Sequence, residues 1–463
     1  MMTFRTLLDE LESQEDLVRV TDPTHWDGAA ASVASEAVKN SCPAVLFEET
    51  PGKVRFASGA YAGPDQLVEH DQSSWRRVST ALGLGPDCQY IELLDHLAES
   101  EPEPIDGSDL GEPAGHRTET DLYSLGLPSI TRGERPLVTL GLIAAERDGT
   151  STWAPVRGRV QHTTGMRLSV PEAFADWYAN GTEAMILLGV SGSALIAAAE
   201  GWTGERATPE VPELAAGLSD ISLAEADSVV VPAAVEARFT GEVRDVEGDV
   251  GGPEAAWERT CDVTTIEIDI ERSALREDPI VPFTPLGSPL TDDVLLTSLV
   301  ESAELYRRVN SYWGVSPVNW IRLPFEARLG LCIVSSEILY AGFEWQLANT
   351  LFSFSRLFDK VLVLDEQADP TNLARALDDM WVKAHPANDW TFSEPNAPSA
   401  SAPRYRRDGE TGTRLYINAT WDPRWDEEYI APRVTFESSY PENIREAARE
   451  RWNQLTHAGG NDE

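Results

Sequence analysis

Arg157, Asp249 and Glu254 are the residues whose types and spacing suggest chemistry. Arg157 lies in Trp153-Ala-Pro-Val-Arg-Gly-Arg-Val160, which reads as a strand. Asp249 and Glu254 stand in the Gly-rich segment Gly248-Asp-Val-Gly-Gly-Pro-Glu254, which reads as a loop. A guanidinium grips a carboxylate through two parallel hydrogen bonds. A carboxyl group placed beside it can pass a proton to a reacting carbon. The trio predicts a site that holds an anionic substrate and protonates it.

The elements that must position the trio read as β. Pro136–Ala144 is a strand, Arg147-Asp-Gly149 a turn, and the Arg157 strand follows, which predicts a hairpin. Ser228 to Val243 alternates apolar and polar residues, as do Ile266, Ile268 and Ile270 against Glu267, Asp269 and Glu271. Half-buried strands at this density predict an antiparallel or split barrel, interrupted by a helical insert around 171–200. On either side the chain reads as α/β. Leu7, Leu8 and Leu11 follow Thr3 at helical spacing, and Ala44–Phe47 is a buried strand. Residues 97–118 are acidic and Pro/Gly-rich, a linker. A helix from Thr291, the buried strand Val361–Leu364 and a terminal helix after Pro441 make up the last third, with a Ser/Pro/Arg-rich loop over 393–411. The fold class is therefore α/β (α+β) in three domains: residues 1–115, a barrel over 116–290, and a linker helix with a second α/β domain over 291–463.

Composition narrows the function. The chain has 463 residues, 77 acidic against 37 basic side chains, and a net charge of −40. Only Lys39, Lys53, Lys360 and Lys383 are lysines. So acidic and lysine-poor a surface suits a salt-rich cytoplasm, where screening cancels self-repulsion. The same charge disfavours nucleic acid as a partner, since phosphate binding needs a basic face. The four dispersed cysteines read as buried thiols of a reducing compartment. With no signal peptide and no run long enough to span a bilayer, a cytoplasmic protein is expected. The seven histidines form no HxxxH or HExxH pair, there is no phosphate loop, and Gly189-Val-Ser-Gly-Ser193 reads as a strand-to-helix turn. No lysine sits where a Schiff base would need it, so carbon–carbon bond chemistry here would need another electron sink.

Four stretches, in order, resemble the UbiD-type decarboxylases, the family of polyprenyl-hydroxybenzoate and ferulic acid decarboxylases. They are Phe4-Arg-Thr-Leu-Leu-Asp-Glu-Leu-Glu-Ser13 with Cys42-Pro-Ala-Val-Leu-Phe-Glu48; Leu127-Pro-Ser-Ile-Thr-Arg-Gly-Glu134 with Leu142-Ile-Ala-Ala-Glu-Arg-Asp-Gly149; Val229-Val-Val-Pro232 with Phe239-Thr-Gly-Glu-Val243; and Lys360-Val-Leu-Val-Leu-Asp-Glu-Gln-Ala-Asp369. The chain looks like a divergent member of haloarchaeal type. The resemblance implies an N-terminal α/β domain, a split β-barrel that binds flavin, and a C-terminal α/β domain. It also implies non-oxidative decarboxylation or carboxylation of an aromatic or α,β-unsaturated acid on prenylated FMN, with Mn²⁺ or Mg²⁺ and potassium ions, in a homodimer or larger homo-oligomer.

By the same resemblance the family's Glu-Arg-Glu constellation falls on Arg157, Asp249 and Glu254. A rival register starts the acid loop at Glu247 and leaves Gly252 in place of the second acid. Flavin contacts fall on Pro155, Val156, Arg157, Arg167, Leu168 and Arg414. The metal-binding glutamate falls on Glu225, or else Glu210, and the metal-binding asparagine on Thr152. The metal-binding histidine falls near Ala173, which has no ligating atom. In this reading Arg157 holds the substrate carboxylate and Glu254 protonates the product carbon. The changes at Thr152 and Ala173 motivate an alternative of another class, a catalytically silent relative acting as a binding or structural subunit. Trp153, Trp177 and Trp257 could wall an aromatic pocket, although core packing is the default for such residues.

Overall fold

The computed structural model describes residues 1–67, 72–118, 121–130, 132–177, 181–202, 210–393, 397–398, 411–421 and 439–458. Most of the Ser/Pro/Arg-rich stretch read as a loop lies outside them. Met1–Thr420 forms one compact unit and Trp421–Glu463 a second, in which Glu442–Ala458 is helical.

At the centre is a closed antiparallel barrel of six strands: β1 (Leu137–Arg147), β2 (Thr150–His162), β3 (Gly165–Pro171), β4 (Glu183–Leu188), β5 (Ala237–Asp245) and β6 (Val263–Leu275). Their order is β5-β4-β1-β2-β3-β6, and β6 pairs back onto β5. Closure leaves the barrel without unpaired edges. The predicted hairpin joins β1 to β2, with Asp148 at φ 54° and Gly149 at φ 86°, the left-handed pair that a tight two-residue turn requires.

Alternation along each strand sorts side chains between the lumen and the outside. Ile143, Val156, Leu168, Ile186, Phe239 and Ile268, one from each strand, are at most 1% exposed and share one apolar cluster. The lumen is so full that a Cβ on Gly158 would lie 2.6 Å from Leu168 Cδ2. Even-numbered residues of β2 from Thr152 to Gly158 therefore face the lumen, and Ser151, Trp153, Pro155 and Arg157 face out.

Two sequence expectations change. The helical insert around 171–200 is a 3-10 turn at Glu172–Trp177, then the barrel strand β4, then helix α1 (Gly192–Glu200) capped by Ser191. Glu183-Ala-Met-Ile-Leu-Leu188 is apolar on both faces after its first residue, so its periodicity does not separate strand from helix. The alternating run from Ser228 to Val243 is also divided. A hairpin, Leu223–Ala226 with Val229–Pro232, packs outside the barrel before β5 begins.

The flanking sheets position the barrel. Ile280–Pro282, just after β6, completes the N-terminal sheet by pairing with Arg55–Ser58, so that sheet draws strands from both sides of the barrel sequence. A long helix, α2 (Asp292–Tyr312), follows. The C-terminal sheet is ordered Val318–Arg322, Leu331–Ser336, Lys360–Asp365, Leu415–Ala419, Trp390–Phe392. All four cysteines are free, but only Cys332 is buried as expected; Cys42 is exposed and Cys88 and Cys261 are half-buried. No helix among the described residues is long and apolar enough to cross a membrane.

Candidate functional site

Arg157 points out of β2, yet it is 4% exposed. Its partner is Glu258. Arg157 Nε donates to Glu258 Oε2 at 2.6 Å and Nη2 donates to Oε1 at 3.0 Å, the two-pronged geometry of a strong guanidinium–carboxylate pair. Nη1 donates to the carbonyl of Gly251 at 2.8 Å. Arg157 is thus held from both ends of the segment that follows β5.

The sequence shows why Glu258 lands there. Ala255-Ala-Trp-Glu258 enters a 3-10 turn, Ala256–Arg259, and Glu258 Oε2 accepts from Ala255 N at 2.6 Å. An acid three residues past a helix entry is the capping-box position. That signal is legible in the sequence itself. The segment has its own small core, in which Val250, Ala255 and Trp257 pack on Leu137 and Leu286. Gly248, Gly251 and Gly252 all have positive φ, and a Cβ on Gly252 would lie 2.5 Å from Arg159 Nη2. The positive φ is what calls for glycine there, since the Arg159 side chain could move aside.

Asp293, in the first turn of α2, fixes the turn from behind. Its Oδ2 accepts from Ala256 N at 2.9 Å, and Oδ1 faces Thr284 Oγ1 at 3.5 Å. Burial pushes the Asp293 carboxyl above the usual range. Its neighbour Asp292 accepts from the backbone of Gly59, Tyr61 and Ala62. Both acids that open the helix are buried.

Asp249 and Glu254, the acids expected beside Arg157, are exposed, as is Glu247 of the rival register. The guanidinium reaches past them to Glu258 because the segment folds back through Gly251 and Gly252. Among the flavin contacts, Val156 and Leu168 send their side chains into the packed lumen, where no ligand fits. Pro155 is buried on the outer face. Arg167 is paired with Glu267, at 2.7 Å from Nη2. Arg414 lies in the C-terminal sheet region with its guanidinium over the Phe352 ring at 5.2 Å and no ion pair among the described residues. Trp153 and Trp257 are core residues; the Trp153 ring donates to Val230 O at 2.7 Å.

The metal set does not assemble. Thr152 is fully buried on the lumen side, and its hydroxyl has no hydrogen-bond partner. Glu225 is exposed on the outer hairpin and lines a cavity with Asp227 but also with Arg117, Arg238 and Arg272, an excess of positive charge that disfavours a cation. Glu210 directly precedes the helix Val211–Leu218, and Ala173 is exposed in the 3-10 turn. Among the described residues no group of three or more His, Cys, Asp or Glu could hold a metal ion. These residues fit acid–base work at Arg157–Glu258 and, in the free guanidinium of Arg414, phosphate binding. They do not fit a divalent metal.

Comparison with known proteins places both flanks of the barrel. Residues 8–97 match the family model of the 3-octaprenyl-4-hydroxybenzoate carboxy-lyase (UbiD) N-terminal domain, and 294–419 match that of its C-terminal domain. The chain is similar to phenolic acid decarboxylase of Sedimentibacter hydroxybenzoicus, 28% identical over 212 residues. That match spans 42% of this chain and 41% of the relative, well under two thirds of its length. The fold is that of the UbiD-class enzyme HmfF from Pelotomaculum thermopropionicum, solved in complex with FMN: TM-score 0.77 at 18% identity, covering 96% of this chain and 99% of that one. Vanillic acid decarboxylase of Sedimentibacter hydroxybenzoicus, in open form, superposes with a TM-score of 0.76 at 19% identity over 99% of each chain.

Proposed function

We propose that this chain is a UbiD-class carboxy-lyase that removes carbon dioxide from, or adds it to, an aromatic or α,β-unsaturated carboxylic acid. The buried two-pronged pair of Arg157 with Glu258 carries the reading. It sets a carboxylate receptor and a proton carrier within one hydrogen bond of each other on a barrel wall. The UbiD matches on both flanks, and the FMN-bound structural neighbour, support it.

Prenylated FMN, when bound, supplies the electron sink that the chain's own side chains lack. Arg414 would take the flavin phosphate. Arg157 binds the substrate carboxylate in place of Glu258. The acid so displaced lies beside the bound substrate, where it can act as the proton carrier. When the bond to carbon dioxide breaks, Glu258 passes a proton to the substrate carbon. No step here requires the divalent metal, whose ligands the described residues do not supply. The acidic, lysine-poor surface supports a salt-rich cytoplasm as the setting, and the class resemblance supports a homodimer. The buried Arg157–Glu258 pair speaks against the non-catalytic alternative.

The test is turnover by the full chain in molar KCl, loaded with prenylated FMN and offered a panel of aromatic and α,β-unsaturated acids. The expected result is carbon dioxide release that Arg157→Ala abolishes. Flavin uptake without turnover of any acid would sink the proposal.

A further inference from the structure

A cavity of about 220 Å³ opens on the outer face of the barrel, where Arg117, Arg238 and Arg272 outnumber the carboxylates Glu225 and Asp227 in its lining. Arg117 comes from the strand His116–Thr118, which pairs with the end of β6. In register, Arg238 of β5 lies opposite Ala274 of β6, and Ala274 lies opposite Arg117. Two guanidiniums therefore flank one small residue in a single cross-strand row, an arrangement that costs stability unless a charge lies between them.

Among the described residues no carboxylate fills that role. Arg272 is paired with Glu183 at 2.6 Å and with Asp227 at 3.3 Å. Arg117 and Arg238 make no hydrogen bond or ion pair with a described residue. Exposed Glu225 shares the cavity without bonding to either. In a chain with 77 acids against 37 bases, two arginines on one cavity wall without a bond to a described carboxylate run against expectation. Burial lowers the affinity of Arg238 for its proton; Asp227, which lines the same cavity, pulls the other way, and Arg117 adds to the burial effect. Arg272 Nε is buried and also without a partner. Thr240, nearly buried beside them, places a hydroxyl in the same wall.

We propose that this cavity binds a small phosphate-type oxyanion, free or as the phosphate group of a small ester, clamped between Arg117 and Arg238. Planar guanidinium forks match tetrahedral oxyanions, and two of them facing one cavity favour a dianion over chloride. The site is separate from Arg157. In the six-strand ring, β2 is parted from β6 by β3, and from β5 by β1 and β4. The proposal does not depend on the carboxy-lyase reading.

Calorimetric titration of the full chain with inorganic phosphate, at constant ionic strength in KCl, tests it. One saturable site per chain is expected, weakened at least tenfold by Arg117→Gln or Arg238→Gln and lost in the double variant. Methyl phosphate in a parallel titration separates the sources. Equal affinity supports an ester ligand, and its exclusion supports the free anion. Arg117 is exposed, so Arg117→Gln folds even if the half-buried Arg238 does not tolerate change. Without phosphate, the Arg117→Gln variant should melt no lower than the parent, because like-charge repulsion is removed. Absence of saturable phosphate binding, full binding by the double variant, or a fall of several degrees in the phosphate-free melting of Arg117→Gln would each overturn the assignment.

Discussion

Replacing Glu258 separates a role in the site from mere proximity to it. Glu258→Ala removes both bonds from Arg157, at 2.6 and 3.0 Å, and the bond from Ala255 N at 2.6 Å. The side chains of the pair are only 5% and 4% exposed, so water does not replace what is lost. Stranding one member of a buried pair costs about 3–5 kcal/mol. Loss of the turn's cap adds about 1 kcal/mol. Against a typical stability of about 5–15 kcal/mol, Glu258→Ala should shift the guanidinium chloride midpoint markedly. Glu258→Gln keeps an acceptor for Ala255 N and for one Arg157 N–H, so about 2 kcal/mol is expected from the weaker uncharged bonds. Its effect on catalysis should be larger: loss of a proton carrier lowers kcat by about 10²–10⁴. Glu254→Ala, at an exposed position, should stay within about 0.5 kcal/mol and leave turnover near the parent's. Midpoints and carbon dioxide release, measured on all three variants in the same salt, decide the matter. If Glu254→Ala lost turnover and Glu258→Gln did not, the site described here would be wrong.

Glu301, buried in α2, is pushed up to about 7 chiefly by desolvation, with Glu304 adding to it and Ser355, Arg308 and Arg356 opposing. Its folded value lies above the unfolded one near 4.5, so the fold favours the protonated form. Stability from this group is therefore complete below pH about 4.5 and declines as pH rises to about 7, a loss of order 3 kcal/mol. Glu301→Gln should flatten that decline in denaturant midpoints taken from pH 5 to 8; an unchanged slope would count against it. Thr152→Val removes a buried hydroxyl that has no partner, so it should be neutral or stabilising by about 1 kcal/mol, and it should leave flavin uptake unchanged. A loss of cofactor absorbance in that variant would instead restore Thr152 to a ligand's role. Raising KCl from low to molar concentration should raise the melting temperature by ten degrees or more through screening of the −40 net charge, whereas a flat response would remove the case for a salt-rich source.

The barrel was legible where its strands are half solvated. Ile266, Ile268 and Ile270 alternate with acids and do face the lumen. It was not legible at β4, where Ala184 to Leu188 are buried on both faces and carry no period. The division of 228–243 was hidden for a related reason: alternation continues through Val231 and Val235, although these pack outside the barrel while Ala237 and Phe239 pack within. Arg157 was found because strand and resemblance agreed on it. Its partner was not, because spacing along the chain says nothing about how a loop with three left-handed glycines turns back. Those glycines set which acid arrives.

That turn also constrains how a substrate could enter. Arg157 is closed on one side by Glu258 and on the other by the Gly251 carbonyl. A carboxylate can replace the first of these like for like, since both present two oxygens to the same fork. The second is a single neutral acceptor on a backbone of two glycines, the part of the segment least held by side chains. Val250, Ala255 and Trp257 anchor the segment on either side through their contacts with Leu137 and Leu286. Entry would therefore require the Gly251–Gly252 link to swing while the anchors stay. Stiffening that link should slow binding more than chemistry. Gly251→Ala, forced to φ 71° with only distant neighbours around its Cβ, strains the link without a steric clash. In the carboxy-lyase reading it should raise KM and leave kcat close to the parent value. A fall in kcat at constant KM would mean that the link does not gate entry.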